Sequence, residues 1–508
     1  MAEAGAPAAP SSDMAALARG GRTNIFGFVL RLAARLPFLF IAGRSYGPEI
    51  VGRFALAVVV VELAALLATL GLKRGLAQAL ATADRPHAHI VWDGLLLALI
   101  VSAAASSVLF LFPKIMFPNS PVVGLEWLLP LIVFAIAWSD VALAALAYRL
   151  NVRAAVTARA VIEPWTISIA AWLLSYVSTR DGLVIAYVLS MVAALVASLV
   201  PLLRSYGVPV GWSPQLGRVW MLARQNAPLA GADAIEWATR NVDRFILGLF
   251  FAPAVVGIYY MAQQVASLPS KLKTSFDPVL GPVITRSLAA GDLSAIARQV
   301  RQVGFWIMAA QGGLALMGSV PGEAVMGVVG PEFVSGTAAL AFLLVGEVLA
   351  ANGAVAESAL VYIARLTNLW MSAAVLAVQV ALSIALILAM RSAGWPTAWQ
   401  AAGPAVALAI SLALGTVLKA TVLGRLLGEN VVAWRWPLLG AALVGGTVGA
   451  LFTMLPPAYE WAELLFGEPA IALSYMAALW LWAFRPDDRA LFRKVPNARA
   501  MPLAEPRA

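Results

Sequence analysis

Residues 227–251, APLAGADAIEWATRNVDRFILGLFF, are long enough to cross a bilayer, yet Asp233, Glu236, Arg240, Asp243 and Arg244 lie within them. On an insertion scale each such charge at mid-membrane costs about 2.5 to 3.5 kcal/mol, so five cost roughly 12 to 17, against about 0.3 to 0.6 returned per large apolar residue. Lipid cannot surround such a helix. Successive charges are 3, 4, 3 and 1 residues apart, which on a helix sets them along one stripe. That stripe must line a bundle interior or a wet cavity, so other helices have to enclose it.

The rest of the chain supplies them. Of 508 residues, 61% are hydrophobic and 12% charged, about half the charged share of an ordinary soluble domain. Apolar segments of bilayer length run at 24–43, 53–72, 90–112, 124–148, 156–177 and 182–203, then 227–251, 253–273, 302–320, 336–363, 366–390 and 398–424, with two more at 435–455 and 464–484. This predicts an all-α polytopic membrane protein of about 14 transmembrane helices. The expected division is a disordered cytoplasmic tail (1–23), an N-lobe of spans 1–6 (24–205), a cytoplasmic linker (206–226), a C-lobe of spans 7–12 (227–425), a C-terminal helix pair (426–484) and a second cytoplasmic tail (485–508).

The first span repeats the seventh in milder form. It carries Arg31 and Arg35, four apart and so on one face. A gapless offset of 205 residues lays Arg35 on Arg240, Gly43 on Gly248, Pro48 on Pro253, Val51 and Gly52 on Val256 and Gly257, and Ala57 on Ala262. Apolar identities arise cheaply by chance, but Arg, Gly and Pro matches in one register do not. The halves are therefore read as an internal repeat. The two arginine spans are six helices apart, so both cross in the same direction and the repeat is parallel, about an axis normal to the membrane.

The net charge of +9 would suggest nucleic acid for a soluble protein; here it sets topology, and no nucleic-acid partner is expected. Most Lys and Arg residues, Lys73, Arg74, Arg149, Arg153, Arg204 and Arg218 among them, fall on the side shared with the amino terminus. Arg44, Arg53, Lys114, Arg180 and Arg391 fall on the other side, where the loops near 320–335 and 456–468 carry Glu323, Glu332, Glu460, Glu463 and Glu468 without a Lys or Arg. By the positive-inside rule both ends are cytoplasmic. No cleavable signal peptide is read at the start.

Residues 275–301 are expected to form an amphipathic helix on the cytoplasmic surface. Tryptophans 434, 436, 461, 480 and 482 mark the membrane interface around the last pair. Gly445 and Gly449 form a GxxxG spacing, ordinarily close helix packing and alternatively a dimer face; a monomer is expected.

Catalysis has no obvious home. There is no GxxxxGK[ST], no HExxH and no GxSxG in a strand setting, and with no cysteine there is no thiolate metal site. His87 and His89 sit beside Arg85 and Pro86 in a short loop and read as loop surface. No enzyme activity, metal or cofactor is expected. What remains is the intramembrane cluster. Arg31, Arg35, Arg240 and Arg244 are the candidate substrate-binding residues, with Asp233, Glu236 and Asp243 as supporting acids, because guanidinium stays charged when buried and its planar fork suits phosphate oxygens. Self-neutralisation within the seventh span, Glu236 with Arg240 and Asp243 with Arg244, is the competing reading. The first span has no acid of its own, and that surplus favours an anionic ligand. Glu62, Asp140, Glu163, Glu347 and Glu357 are further intramembrane acids, none singled out as the carrier of a coupling proton or sodium ion.

Residues 44–81, RSYGPEIVGRFALAVVVVELAALLATLGLKRGLAQALA, resemble the signature near the start of bacterial polysaccharide transporters, the Wzx-type flippases of the multidrug/oligosaccharidyl-lipid/polysaccharide exporter superfamily. Residues 241–265, NVDRFILGLFFAPAVVGIYYMAQQV, and 282–302, PVITRSLAAGDLSAIARQVRQ, extend the resemblance, which with the helix count spans essentially the whole chain. It implies a flippase that carries polyprenyl-diphosphate-linked oligosaccharide from the inner to the outer leaflet of the cytoplasmic (inner) membrane for surface polysaccharide export. Two lobes would rock around a central cationic cavity, to which the four arginines map. Asp243 matches the family's Asp and would orient Arg240 or Arg244. The implied partners are the lipid-linked oligosaccharide, the bilayer and a coupling ion, H+ or Na+. Alternatives are a multidrug antiporter of the same superfamily, a membrane glycosyltransferase or ligase, and a scaffold without transport activity.

Overall fold

The computed structural model of the chain describes residues 36–82, 84–270, 277–456, 459–486 and 488. They are helical, with no strand among them. Helix α1 (Gly47–Ala68) opens with Pro48, whose fixed φ and missing N–H suit the first turn, and α2 (Leu72–Ala81) continues its path. Then come α3 (His87–Leu111), α4 (Leu129–Tyr148), α5 (Glu163–Ser175), preceded by a π-helical segment Val156–Ile162, and α6 (Gly182–Tyr206). The second half holds α7 (Leu216–Phe250), α8 (Pro253–Ser270), α9 (Asp277–Ala289), α10 (Leu293–Ser319), α11 (Gly322–Val329), α12 (Thr337–Ile363), α13 (Arg365–Ser392) and α14 (Thr397–Leu427). A final pair, α15 (Pro437–Phe452) and α16 (Glu468–Ala478), packs against α10.

Every predicted span from the second to the fourteenth is occupied by a helix. The first lies largely outside the described residues. Among the described residues eight helical stretches are long and apolar enough to cross a membrane, or nine if the sharply bent pair α10 and α11 (74°) counts as one. The 35-residue α7 is not among them. Its length would span a bilayer with room to spare, and its charges hold it below the threshold.

Where the two repeats meet, their matched residues touch each other. A Cβ on Gly52 would lie 1.7 Å from the carbonyl oxygen of Pro253, and a Cβ on Gly257 would lie 2.0 Å from the carbonyl oxygen of Pro48. Because Pro48 corresponds to Pro253 and Gly52 to Gly257, this is a self-complementary contact of the kind a two-fold axis produces. Helices α1 and α8 thus approach backbone to backbone, as small residues permit in membranes. Val51 and Val256, also matched, are fully buried beside the seam, and so are Ala57 and Ala262. The contiguous core that follows runs from Leu39 through α1, α4, α6 and α8 into α12 and α14. A second core around Phe305, Trp306 and Leu360 joins α10, α12 and α14 to the final pair.

Two expectations change, and the close packing expected of the GxxxG spacing holds. Residues 277–301 do not form one surface helix: α9 stops at Ala289, Gly291 turns the chain at φ +72°, and the Asp292 carboxylate accepts from Ala295 N (2.8 Å) to cap α10, which then runs on as a span. The GxxxG spacing serves packing inside the chain, since a Cβ on Gly449 would meet Ile471 at 2.7 Å and Val320 at 2.8 Å, and one on Gly445 would meet Tyr475 at 3.1 Å. His87 and His89 lie in the first turn of α3 rather than in a loop, with His87 edge-on to Tyr148 and His89 Nε2 3.1 Å from the Val210 carbonyl. Trp436, Trp461 and Trp482 are exposed, as interface anchors should be.

Outside the spans, Asp181 ties the loop before α6 to the start of the α4 region. Its carboxylate accepts from Arg180 Nη2 (2.8 Å) and from Leu125 N (3.0 Å). The Arg180 hydrogen bond holds its pKa below the ordinary 3.8, against the opposing effect of burial. A depressed folded-state pKa contributes stability that is present above 3.8 and is lost as pH falls through the lower folded value. Asp181→Asn is therefore expected to lower the melting temperature at pH 7, with the difference from the parent protein shrinking below pH 4. Thermal unfolding in detergent at both pH values measures it.

Candidate functional site

Three charges of the α7 stripe, Asp233, Glu236 and Arg240, find their ion-pair partners on other helices. Asp233 is buried, and Arg74 of α2 faces it with Nε 3.0 Å from Oδ1. The same guanidinium reaches Glu236, with Nη2 2.8 Å from Oε2. Arg240 pairs with Glu347 of α12 at 3.8 Å. The Glu236–Arg240 pair of the competing reading is thus replaced on both sides, because tertiary neighbours offer each charge an opposite one. Arg74 belongs to the first repeat and Glu347 to the second, so the stripe faces both. Glu236 and Arg240 keep 61% and 56% of their side chains exposed, whereas Asp233 keeps 6%.

Asp243 and Arg244 lie deeper. Asp243 is fully buried and accepts from Tyr259 Oη (2.6 Å), Gln263 Nε2 (3.1 Å) and the backbone N–H of Arg244 (2.9 Å). It bonds to the main chain of Arg244 rather than to its guanidinium. Gln263 Nε2 also donates to the Arg240 carbonyl (2.9 Å), so one side chain of α8 fixes the α7 backbone and the carboxylate together. Arg244 is buried, donates through Nη2 to Asn241 Oδ1, and lies 5.3 Å from the centre of the Tyr260 ring. Gln379 of α13 donates to the Thr239 carbonyl (3.0 Å). These bonds hold α7 rigidly on its second-repeat side and aim Arg240 outward. The structure therefore separates the two cations by burial: Arg240 is half-exposed, and Arg244 is enclosed. Arg31 and Arg35 lie outside the described residues.

Of the other intramembrane acids, Asp140, Glu163 and Glu357 also have basic partners. In the first repeat Arg159, on the π-helical segment, bridges Asp140 and Glu163 (2.7 Å to Glu163 Oε2), and Lys73 Nζ is 3.8 Å from Asp140. In the second, Lys419 pairs with Glu357 at 3.0 Å. Among the described residues no group of acids or histidines forms a metal site.

Sequence reading placed Lys73 and Arg74 with the cytoplasmic loops and missed Tyr259, Gln263 and Arg159 as parts of the charged interior. The available signal for Arg74 was the pair of flanking glycines. A Cβ on Gly71 would meet Asn226 O at 2.7 Å and Ala230 N at 2.8 Å, and one on Gly75 would meet Asn226 Oδ1 at 1.6 Å. Glycine there lets α2 lie directly on α7. Gly71 also has φ +74°, which L side chains rarely adopt.

The sequence matches the family model for polysaccharide biosynthesis proteins over residues 24–288. No curated protein matches it. Among solved structures the fold is similar to the lipid II flippase MurJ in an inward closed conformation, at TM-score 0.67 and 12% identity, covering 94% of this chain and 100% of that one. It is also similar to an inward-facing multidrug resistance MATE family transporter of the MOP superfamily, at TM-score 0.63 and 14% identity, covering 78% and 98%. A MOP superfamily transporter from Pyrococcus furiosus, described as having a binding pocket of reversed polarity, matches at TM-score 0.55 and 13% identity over 82% and 97%.

Proposed function

Because the chain belongs to the polysaccharide biosynthesis protein family, we propose that it flips a polyprenyl-diphosphate-linked oligosaccharide across the cytoplasmic membrane for surface polysaccharide export. The observation that carries this reading is Arg240, a half-exposed guanidinium on a bilayer-length helix, paired with Glu347 of the second repeat at 3.8 Å. Arginine's fork takes two phosphate oxygens at once, and a diphosphate offers them. The lobes 24–205 and 227–425 act as the moving bodies, with Arg31 and Arg35 as the first-repeat counterpart of Arg240. Arg244 supports the site from within, oriented by the Asp243, Tyr259 and Gln263 cluster. The prenyl tail stays in lipid while the headgroup crosses between the lobes.

The membrane potential gives the step a direction. With the inside negative, one negative charge moving outward gains about 2.3 kcal/mol per 100 mV, so a diphosphate carried with incomplete neutralisation is driven to the outer leaflet. A coupling proton or sodium ion moving inward adds to that drive.

Arg35→Ala and Arg240→Ala are each expected to cut surface polysaccharide export about tenfold or more, the loss of one charge-assisted bidentate contact, with membrane insertion at parental levels. Export assay alongside membrane immunoblotting separates the cases; normal export in both variants would refute the reading. An organic-cation antiporter is the competing assignment. It predicts that a cationic dye, and not a diphosphate lipid, protects α7 from chemical labelling of Arg240.

A further inference from the structure

We propose that Arg74 is a releasable clasp between the two repeats and the first landing point for the anionic headgroup, so that capture of the anion itself opens this mouth of the bundle. The inference rests on the diphosphate reading above. Arg74 comes from the first repeat, and its two carboxylate partners, Asp233 and Glu236, stand one turn apart on α7 of the second. Lys73, next in sequence, turns instead to Asp140 of its own repeat. Two adjacent cations thus divide their attention, one holding its own half and one reaching across.

The asymmetry of burial makes the clasp responsive. Arg74 keeps 53% of its side chain exposed, so an anion from solution can reach it, whereas Asp233 keeps 6% and an anion cannot. Neither oxygen of Asp233 has a hydrogen-bond partner of good geometry among the described residues, so its compensation is chiefly the ion pair with Arg74, with Lys73 acting from further off. If a diphosphate takes Arg74, Asp233 cannot remain both buried and charged without its cation: unless it takes up a proton it must be wetted, and wetting requires α2 and α7 to part. Anion binding and opening are then two sides of one equilibrium, because the anion has higher affinity for the state in which the guanidinium is free. Gly71 and Gly75 let α2 rest directly on the Asn226 turn of α7, with the Asn226 and Leu229 side chains occupying the space a Cβ would take.

The chain has no cysteine, so spin labels at Gln78→Cys in α2 and Gln225→Cys in α7, both exposed, can be introduced without background removal. Double electron–electron resonance in nanodiscs reads the distance between them with undecaprenyl diphosphate, undecaprenol or inorganic pyrophosphate added, while binding of radiolabelled undecaprenyl diphosphate is measured on the same samples. Both anions, and not undecaprenol, are expected to lengthen the distance; response to the lipid alone would show that the prenyl tail, and not the phosphates, works the clasp, and would overturn the proposal. Asp233→Asn/Glu236→Gln is expected to be open without ligand and to bind undecaprenyl diphosphate about tenfold tighter, the gain when a state populated near 10% becomes dominant. Arg74→Gln/Asp233→Asn, which leaves no buried unpaired carboxylate at that position, is expected to be open and unresponsive. An unchanged ligand-free distance in the first variant, or a parental response in the second, would overturn the clasp. Binding to the parent protein with no change in distance would overturn the clasp and leave the transport reading standing; no binding of the diphosphate lipid would overturn both.

Discussion

Gly257→Leu is expected to yield protein that no longer elutes as a single folded species in detergent, and Gly52→Leu is expected to do the same. In each case the new Cβ alone would lie within 2.0 Å of a main-chain carbonyl of the opposite repeat. Backbone cannot swing aside as a flexible side chain can, so α1 and α8 must separate, and the buried valines and alanines on either side of the seam separate with them. Overpacking of a well-packed site costs about 1 to 3 kcal/mol for small additions, occasionally more. Alanine carries the same Cβ against main chain, so at either position it should cost at least the upper end of that range and lower the melting temperature by several degrees or more. The two alanine substitutions belong to one symmetric contact, so their combined cost should be less than the sum of the single costs. Gly231→Ala in α7, where a Cβ meets nothing within 4 Å, is the matched control and should be tolerated. Size-exclusion profiles and thermal melts of the purified proteins give all these results, and a parental melt for Gly257→Leu would remove the seam from the account.

Loss of Arg53 should be nearly as severe. The charge pattern puts this residue on the outer side, and the structure buries it in the second turn of α1. There it binds both oxygens of Glu126 (2.6 and 2.7 Å) and the Pro121 carbonyl (2.7 Å), with the Phe117 ring 5.0 Å away. Both side chains are more than nine-tenths buried. Arg53→Met leaves Glu126 as an uncompensated buried charge, a loss of about 3 to 5 kcal/mol. Arg53→Met/Glu126→Leu removes both charges and should recover most of that stability, since an apolar pair of similar volume replaces a buried ion pair at little cost. Chemical denaturation in detergent distinguishes the outcomes. Equal loss in the single and double variants would mean that shape, not charge, fixes this corner.

The parts of the fold legible in the sequence are those that hydrophobic length and local chemistry decide. Spans were placed by runs of apolar residues, and the helices lie over them because in lipid every backbone group must be satisfied within its own helix. The repeat was legible because Gly52 with Gly257 and Pro48 with Pro253 kept one register, and these residues turn out to build the seam itself. The pairing of charges was not legible. Spacing on α7 offered Arg240 to Glu236, but a half-exposed guanidinium takes the nearest carboxylate in space, and Glu347 is more than a hundred residues away in the chain. Arg74 was hidden for a different reason: at the end of an apolar span, a Lys-Arg pair reads as a topology signal, and only the packing of α2 on α7 gives it a partner. The surface helix expected at 275–301 failed at Gly291 and Asp292, a stop and a cap that outrank amphipathic periodicity.

The central claim is that the charged face of α7 carries a diphosphate across the bilayer, and reconstitution tests it most directly. Purified protein in liposomes bearing a fluorescent undecaprenyl-diphosphate oligosaccharide would be assayed by dithionite quenching, with a potential imposed across the membrane. The account predicts transfer between leaflets that follows the potential and falls at least tenfold in Arg240→Ala, the scale of one bidentate contact. Transfer at the parental rate in Arg240→Ala, or none in the parent protein alongside transport of an organic cation, would contradict it.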